Sequence, residues 1–256
     1  MTIGLPMKPN NRFWSARRHL CPVRILLIGA LLLVPLAVLA YDQNRVATDV
    51  NGQPIRISGS VVVIEPDIEL SEVLAGGFAE PRKEWTEAAR RLYPIAVHSR
   101  LAAAGTRQVP DYDIPDNLAP ESRLGQIIRL NEAVSVSVLA YTSPGNQLAT
   151  KRGKRLDWTL GPGVAELRKV TGADYALFTY VRDSYTSGGR VALRVAALLL
   201  LGGDIGGGRQ IGVTTLVDLR TGQVVWFNFL AKQTGDLRDE QGVTATVQRM
   251  LKGIPL

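Results

Sequence analysis

The segment Leu216-Val217-Asp218-Leu219-Arg220-Thr221-Gly222-Gln223-Val224-Val225-Trp226 decides the fold of this chain. Apolar and β-branched residues lie on both sides of a short polar break, which predicts two strands, over residues 210–219 and 223–230. Arg220-Thr221-Gly222 predicts a tight hairpin turn, because glycine stands where a positive φ is needed. The two strands are therefore expected to pair antiparallel.

Two further strands are predicted N-terminal to this hairpin. Residues 173–182 alternate in a way that places Tyr175 and Leu177 on one face and Ala176 and Phe178 on the other. Residues 61–64 form a continuous β-branched run, which is typical of a strand buried on both faces. Pro66 is expected to end that strand.

Helical spacing of apolar residues predicts the remaining elements. Helices are expected over residues 81–105, 121–141, 163–170, 191–201 and 239–252. Pro94 is expected to kink or restart the first helix. Residues 134–138 also alternate as a strand would, but the helical pattern covers more of their segment.

These elements predict an α/β (α+β) fold in a single domain of two or three layers. The expected sheet is mixed and has three to five strands, with helices packed on it and a C-terminal β-hairpin followed by a helix. We expect this domain to span residues 60–256. Residues 41–59 are polar and contain Asn51-Gly52, a turn signal, so they are expected to form a flexible arm or a small hairpin.

The N-terminal forty residues predict a secretory leader. Arg17, Arg18 and Arg24 precede an apolar run over residues 25–40, which ends in the small-x-Ala pattern of Val38-Leu39-Ala40. Cleavage near Ala40 would release a periplasmic protein. An uncleaved inner-membrane tether is the alternative, although the run has 16 residues where a span needs about 20.

Removing residues 1–40 changes the charge and the cysteine content. The remaining chain has 25 basic and 23 acidic residues, so its net charge falls from +7 to +2. That balance does not predict nucleic-acid binding, which needs a basic patch on the folded domain. The single cysteine, Cys21, precedes the apolar run, so neither a lipid anchor nor a disulfide is expected in the exported chain.

Three segments together carry a resemblance to known proteins. They are Gly172-Ala173-Asp174-Tyr175-Ala176-Leu177-Phe178, Gln210-Ile211-Gly212-Val213 and the hairpin segment over residues 216–226. Their order resembles envelope proteins related to the TolB amino-terminal domain and the curli secretion-channel protein. The resemblance implies an accessory part of an envelope assembly, mostly without enzyme activity. The chain lacks the lipid-anchor cysteine that many of these proteins carry.

Residues 191–208 contain the candidate interaction surface. The apolar run over residues 191–201 is interrupted by Arg194, so it cannot span a bilayer. As a core helix it would pack on the sheet with its arginines in water, and this interpretation is favoured. As an exposed helix it would meet a partner or a membrane. The residues assigned to this surface are Val191, Leu198, Leu201, Gly202, Gly206, Gly207 and Gly208.

Other chemistry-bearing residues give weaker patterns. His98 is the one histidine after residue 40 and is expected to be structural. Asp111, Asp113, Asp116 and Glu121 fail the spacing of a calcium-binding hand. The glycines over 202–208 precede a strand, in the reverse of the order found in a phosphate loop. No cofactor or metal is predicted.

The sequence therefore predicts an exported, non-enzymatic accessory protein that acts by protein–protein contact in an envelope assembly. Its partner would be an envelope protein or a second copy, close to a membrane. The alternative is a secreted carboxylate-dependent hydrolase. That function requires acidic side chains to converge in one cleft, and the candidates are Asp157, Asp183, Asp218 and Asp236.

Overall fold

The computed structural model describes residues 41–141, 148, 155–201, 206–232 and 236–256. These residues contain seven β-strands, five α-helices and a short 3-10 helix at Pro162–Val164. The strands are Tyr41–Val46 (β1), Val61–Val63 (β2), Asp67–Val73 (β3), Ala79–Pro81 (β4), Tyr175–Thr186 (β5), Gln210–Asp218 (β6) and Val224–Lys232 (β7). The helices are Lys83–Ala103 (α1), Arg123–Tyr141 (α2), Ala165–Thr171 (α3), Gly188–Leu201 (α4) and Glu240–Met250 (α5).

The described strands form one mixed sheet in the order β1-β7-β6-β5-β3-β4, with β2 paired to β5 beside β3. Strand β5 runs parallel to β2 and β3 on one side and antiparallel to β6 on the other. The predicted hairpin is the β6–β7 pair. The α+β fold class is thus confirmed, with a larger sheet than the three to five strands expected.

Helices cover both faces of the sheet, so the domain has three layers. The side chains of Leu177 and Val181 on β5 pack in a cluster with helices α1 and α5. Ala176 and Phe178 point the opposite way and pack with helices α2 and α3. The alternation predicted for β5 is therefore correct, and it places a core on each side of the sheet.

Strand β3 accounts for part of the larger sheet. Strand β2 ends at Val63, before Pro66, as predicted, and the chain then continues along the same edge of β5 as strand β3. Val63 pairs with Leu177 and Asp67 with Tyr180, so the incoming strand has one more residue than β5 in this interval. The extra residue accommodates a proline that cannot donate to the ladder.

Strand β1 corrects the expectation of a flexible arm over residues 41–59. Tyr41–Val46 pairs antiparallel with β7, from Tyr41 opposite Ala231 to Val46 opposite Trp226. Ala47, directly after it, is fully buried, and its N–H donates to the Val225 carbonyl at 2.9 Å. Edge strands are commonly polar because one side of the strand faces water. The polar composition of residues 41–46 therefore did not indicate a strand in the sequence.

Helix α1 is continuous through Pro94, so a new helix does not start there. A kink at Pro94 stays a prediction. Ala89, Tyr93, Val97 and Leu101 are buried in the core at helical spacing, on both sides of the proline. This packing stabilises the helix at the point where Pro94 removes one backbone hydrogen bond.

The hairpin turn contains a glycine that no other residue replaces without strain. Gly222 has a φ of 78°, and its N–H donates to the Asp218 carbonyl at 2.7 Å. A Cβ atom at this position would overlap the carbonyl oxygen of Gly161. Gly52 has the same φ of 78°, but a Cβ there would meet open space.

Gly222 and Gly52 have the same φ but different surroundings, so Gly222→Ala should destabilise the protein more than Gly52→Ala does. The left-handed backbone alone costs alanine roughly 1–2 kcal/mol, which is the loss expected for Gly52→Ala. Overlap with Gly161 should raise the loss for Gly222→Ala by a further ~1–3 kcal/mol. Urea unfolding of both variants measures the difference. Equal free energies of unfolding would show that the turn adapts without cost.

Candidate interaction surface

Helix α4 connects two neighbouring antiparallel strands, β5 and β6. Such strands need only a short turn, whereas a parallel connection has to cross a face of the sheet. Helix α4 is therefore not required to lie over the sheet. None of its residues belongs to either core cluster of the described residues.

The start of helix α4 is held at the end of the sheet by backbone and arginine contacts. Ser187 N–H donates to the Val73 carbonyl at 3.0 Å. The Arg190 guanidinium donates to the Ala75 carbonyl at 3.3 Å and to the Gly206 carbonyl at 3.2 Å. Arg190 therefore joins the β3–β4 turn to the glycine-rich segment that follows the helix.

The arginines of helix α4 face the protein. The Arg194 guanidinium lies against Gly207, where an added Cβ would overlap it. Arg190, Arg194 and Ala197 are each only partly exposed and lie within roughly 60° of one another around the helix, at 3.6 residues per turn. The core interpretation, which placed these arginines in water, is wrong.

The apolar side chains of helix α4 face solvent. Leu199 is 78% exposed and Leu200 is 81% exposed. At 100° per residue, the exposed apolar residues occupy roughly three fifths of the helix circumference. They are Val191, Leu193, Val195, Leu198, Leu199 and Leu200, and we call this set the α4 face.

The glycine-rich segment makes close backbone contacts with strand β5. Gly208 N–H donates to the Thr186 hydroxyl at 2.7 Å, and a Cβ at Gly208 would overlap the Ser184 carbonyl oxygen. Gly206 is exposed and has a φ of 76°. The predicted close approach of the backbone is therefore present at this position.

The residues assigned to the interaction surface from sequence do not all lie on the α4 face. Val191 and Leu198 lie on it. Gly206 and Gly207 contact the helix arginines Arg190 and Arg194 instead, and Gly208 contacts strand β5. Leu201 is the last residue of helix α4. Gly202 and the predicted leader over residues 1–40 lie outside the described residues. Sequence reasoning missed the exposed leucines Leu199 and Leu200, although they belong to the same apolar run.

His98 joins helix α1 to the loop that follows it. Its Nε2 lies 2.9 Å from Asp111 Oδ2 and its Nδ1 lies 2.5 Å from Gln108 Oε1. The Gln108 amide nitrogen donates to the His98 carbonyl, which fixes the amide orientation. Both ring nitrogens therefore face acceptors. Burial lowers the pKa of His98, but the hydrogen bonds to Gln108 and Asp111 outweigh it, and the net pKa is raised.

The four carboxylates named for a hydrolase do not form one cleft. Asp218 lies opposite Tyr175 at one end of β5, and Asp183 lies opposite Gln210 eight residues further along, about 26 Å away at 3.3 Å per residue. Asp183 and Asp236 both lie near Tyr185.

Their partners make the two carboxylates near Tyr185 structural. Asp183 is only 3% exposed and accepts hydrogen bonds of 2.6 Å from the Tyr185 hydroxyl and the Gln210 amide. Burial raises the pKa of Asp183. Asp236 is paired with Arg238 at 2.7 Å. This arrangement joins the end of the sheet to the segment before helix α5, and it holds both carboxylates in hydrogen bonds with neighbouring side chains.

Among the described residues, no group of three or more His, Cys, Asp or Glu side chains is placed to hold a metal ion. No helix in this part of the chain has both the length and the apolar character of a membrane span.

Comparisons with known proteins found no matching family model and no matching curated protein. Two solved structures of the PelC dodecamer from Paraburkholderia phytofirmans are similar to this chain at low identity. One is 11% identical with a TM-score of 0.37 and covers 83% of this chain and 95% of that chain. The other, a variant, is 14% identical with a TM-score of 0.39 and covers 85% of this chain and 98% of that chain.

The contacts of His98 predict that the folded protein loses stability as the pH rises. Because the folded-state pKa is raised, protonation stabilises the fold below the unfolded-state value of about 6.5. That contribution is lost as the pH rises through the folded-state pKa. Urea unfolding between pH 5.5 and 8.5 should show this decline in the unaltered chain and a smaller one in His98→Gln.

Proton NMR titration of the imidazole provides the direct measurement, with the His98 signal assigned from the same variant. Its midpoint should lie above 6.5 and should fall in Asp111→Asn, which removes the carboxylate. A midpoint at or below 6.5 in the unaltered chain would contradict the raised pKa of His98.

Proposed function

We propose that this chain is an exported, envelope-associated protein that acts by protein–protein contact, and that a partner binds the α4 face. The observation that carries the proposal is the orientation of helix α4. Its arginines face the body of its own protein and its leucines face water. A helix with this orientation is stabilised when another surface covers its apolar side.

The energetic case rests on the number of large apolar side chains that stay exposed. Moving one valine or leucine side chain fully out of water contributes ~1.5–3 kcal/mol. The six residues of the α4 face are each 45% to 81% exposed, so most of that stabilisation is still available to an interface. Contiguous exposed apolar surface of this kind marks binding sites in soluble proteins.

The geometry favours a protein groove over a lipid surface as the partner. A helix lying on a membrane buries one side and presents Lys or Arg along its other side. Here Arg190 and Arg194 contact neighbouring segments of their own chain, and the apolar residues occupy more than half of the circumference. A groove that surrounds an exposed helix covers such an arc, as in other helix-in-groove complexes.

The predicted leader and the sequence resemblance support the location and the class of function. A periplasmic protein would meet its partner at the cell envelope, where proteins related to the TolB amino-terminal domain also act. The resemblance remains a prediction. The absence of enzyme activity is part of this proposal, since Asp183 and Asp236 are held in structural contacts.

Replacing the most exposed leucines should abolish partner binding while leaving the fold intact. In Leu198→Gln/Leu199→Gln/Leu200→Gln, glutamine keeps the helix propensity and removes the apolar surface. The affinity of the purified chain for its envelope partner, measured by capture and mass spectrometry, should fall at least ~100-fold. That loss corresponds to about 2.8 kcal/mol of binding free energy.

A matched control is available on other exposed apolar residues. Val50→Gln/Ile95→Gln/Val170→Gln changes three exposed side chains that lie outside helix α4. This variant should retain the partner, and both variants should unfold within about 0.5 kcal/mol per site of the unaltered chain. Equal capture by both triple variants would overturn the assignment of the α4 face. Concentration-dependent self-association lost only in the α4 variant would identify a second copy as the partner.

A further inference from the structure

A cavity of about 630 Å³ lies between helix α2 and the sheet, on the face opposite helices α1 and α5. Cavities of 300 to 1,000 Å³ with mostly apolar walls are typical of small-molecule sites. The walls here come from Ile128 and Leu139 on helix α2 and from Phe178, Val213 and Phe229 on the sheet. None of these residues belongs to the α4 face.

Two residues that line this cavity, Ser135 and Thr179, have a buried hydroxyl without a hydrogen-bond partner in the described structure. The Thr179 hydroxyl lies toward Tyr93, on the other face of the sheet. Ser135 on helix α2 is 7% exposed and lines the cavity, and its hydroxyl has no hydrogen-bond partner in the described structure. Ser137, two residues further on, donates to the Ala133 carbonyl of its own helix at 2.8 Å. Buried hydroxyls are nearly always hydrogen-bonded. The hydroxyl of Ser135 is therefore available to a polar group that enters the cavity.

The nearest polar neighbours do not supply this group. The Thr215 hydroxyl on the sheet donates to the Asn131 carbonyl oxygen at 2.8 Å, which joins helix α2 to the sheet beside Ser135. Thr215 and Asn131 are both buried and also line the cavity. The Ser135 hydroxyl is thus able to donate or accept a hydrogen bond. Its neighbours Asn131 and Thr215 are already hydrogen-bonded to each other.

The charged residues that line the cavity are net negative. They are Glu65, Asp67, Glu132 and Arg182. The Arg182 guanidinium donates to both Asp67 carboxylate oxygens at 2.9 Å, so this pair is neutral. Glu65 and Glu132 remain, which disfavours an anion at the cavity.

We propose that this cavity binds an uncharged, mostly apolar small molecule with one hydrogen-bonding group, which reaches the Ser135 hydroxyl. The apolar walls supply most of the affinity, the hydroxyl orients the ligand, and the carboxylates reject anionic analogues. This site is independent of the α4 face.

N-phenyl-1-naphthylamine and 1-anilinonaphthalene-8-sulfonate form a matched pair of fluorescent probes for the full chain. They share one aromatic framework with one N–H, and the second adds a sulfonate. The neutral probe should bind one site at micromolar concentration, and the anionic probe should bind at least ~10-fold more weakly. Titrations in Leu198→Gln/Leu199→Gln/Leu200→Gln should give the same affinities, because the α4 face does not contribute.

Two variants locate the probe. Val213→Trp fills the cavity and should weaken binding of the neutral probe at least ~10-fold, while Val170→Trp on helix α3 should not change it. Ser135→Ala removes only the hydroxyl and should weaken binding by roughly two- to tenfold, the range of one net hydrogen bond. Circular dichroism of each variant separates a filled cavity from a lost fold. If Val213→Trp does not fold, Ser135→Ala still decides the outcome.

The proposal is overturned if the neutral probe does not bind, or if it binds Val213→Trp and Ser135→Ala as tightly as the unaltered chain. If the neutral probe does not bind, water is the remaining partner for the Ser135 hydroxyl. Equal or tighter binding of the sulfonate would overturn the requirement for an uncharged ligand.

Discussion

The structure depends on strand β5, which is hydrogen-bonded along both edges and packed on both faces. Its neighbours are β2 and β3 on one side and β6 on the other. The N-terminal part of β5, from Tyr175 to Phe178, is buried on both faces, so the side chains there are mostly apolar on both sides. The two cores follow from this constraint, because helices α1 and α5 cover one face and helices α2 and α3 cover the other.

The same strand explains why helix α4 is not part of either core. Strands β5 and β6 are antiparallel neighbours, so the chain returns at the end where β5 stops. The 14-residue helix is inserted at that return and is held there by Arg190 rather than by apolar packing. Its leucines therefore stay exposed, at the end of a sheet whose two faces are already covered by other helices.

Most regular elements could be predicted because their periodicity is local. The β6–β7 hairpin, the alternation on β5 and helices α2 and α5 agree with the sequence analysis. Strand β3 also alternates, with Ile68 and Leu70 fully buried, but no strand is predicted directly after Pro66. Strand β1 had no such signal, since most of its residues are polar and it joins the sheet by backbone pairing with β7. Neither Ser135 nor its cavity was predicted, because residues distant in sequence line it.

The sequence by itself determined which segments are apolar, where turns require glycine, and that one α+β domain results. Those properties depend on neighbours within a few residues. Only the tertiary structure decided what covers each apolar segment. Residues 191–201 have the composition of a core helix, yet connectivity leaves them exposed, while Ser135 is buried beside a cavity. Periodicity specifies which face of an element is apolar, but packing between distant segments decides whether that face meets the core, a ligand or a partner.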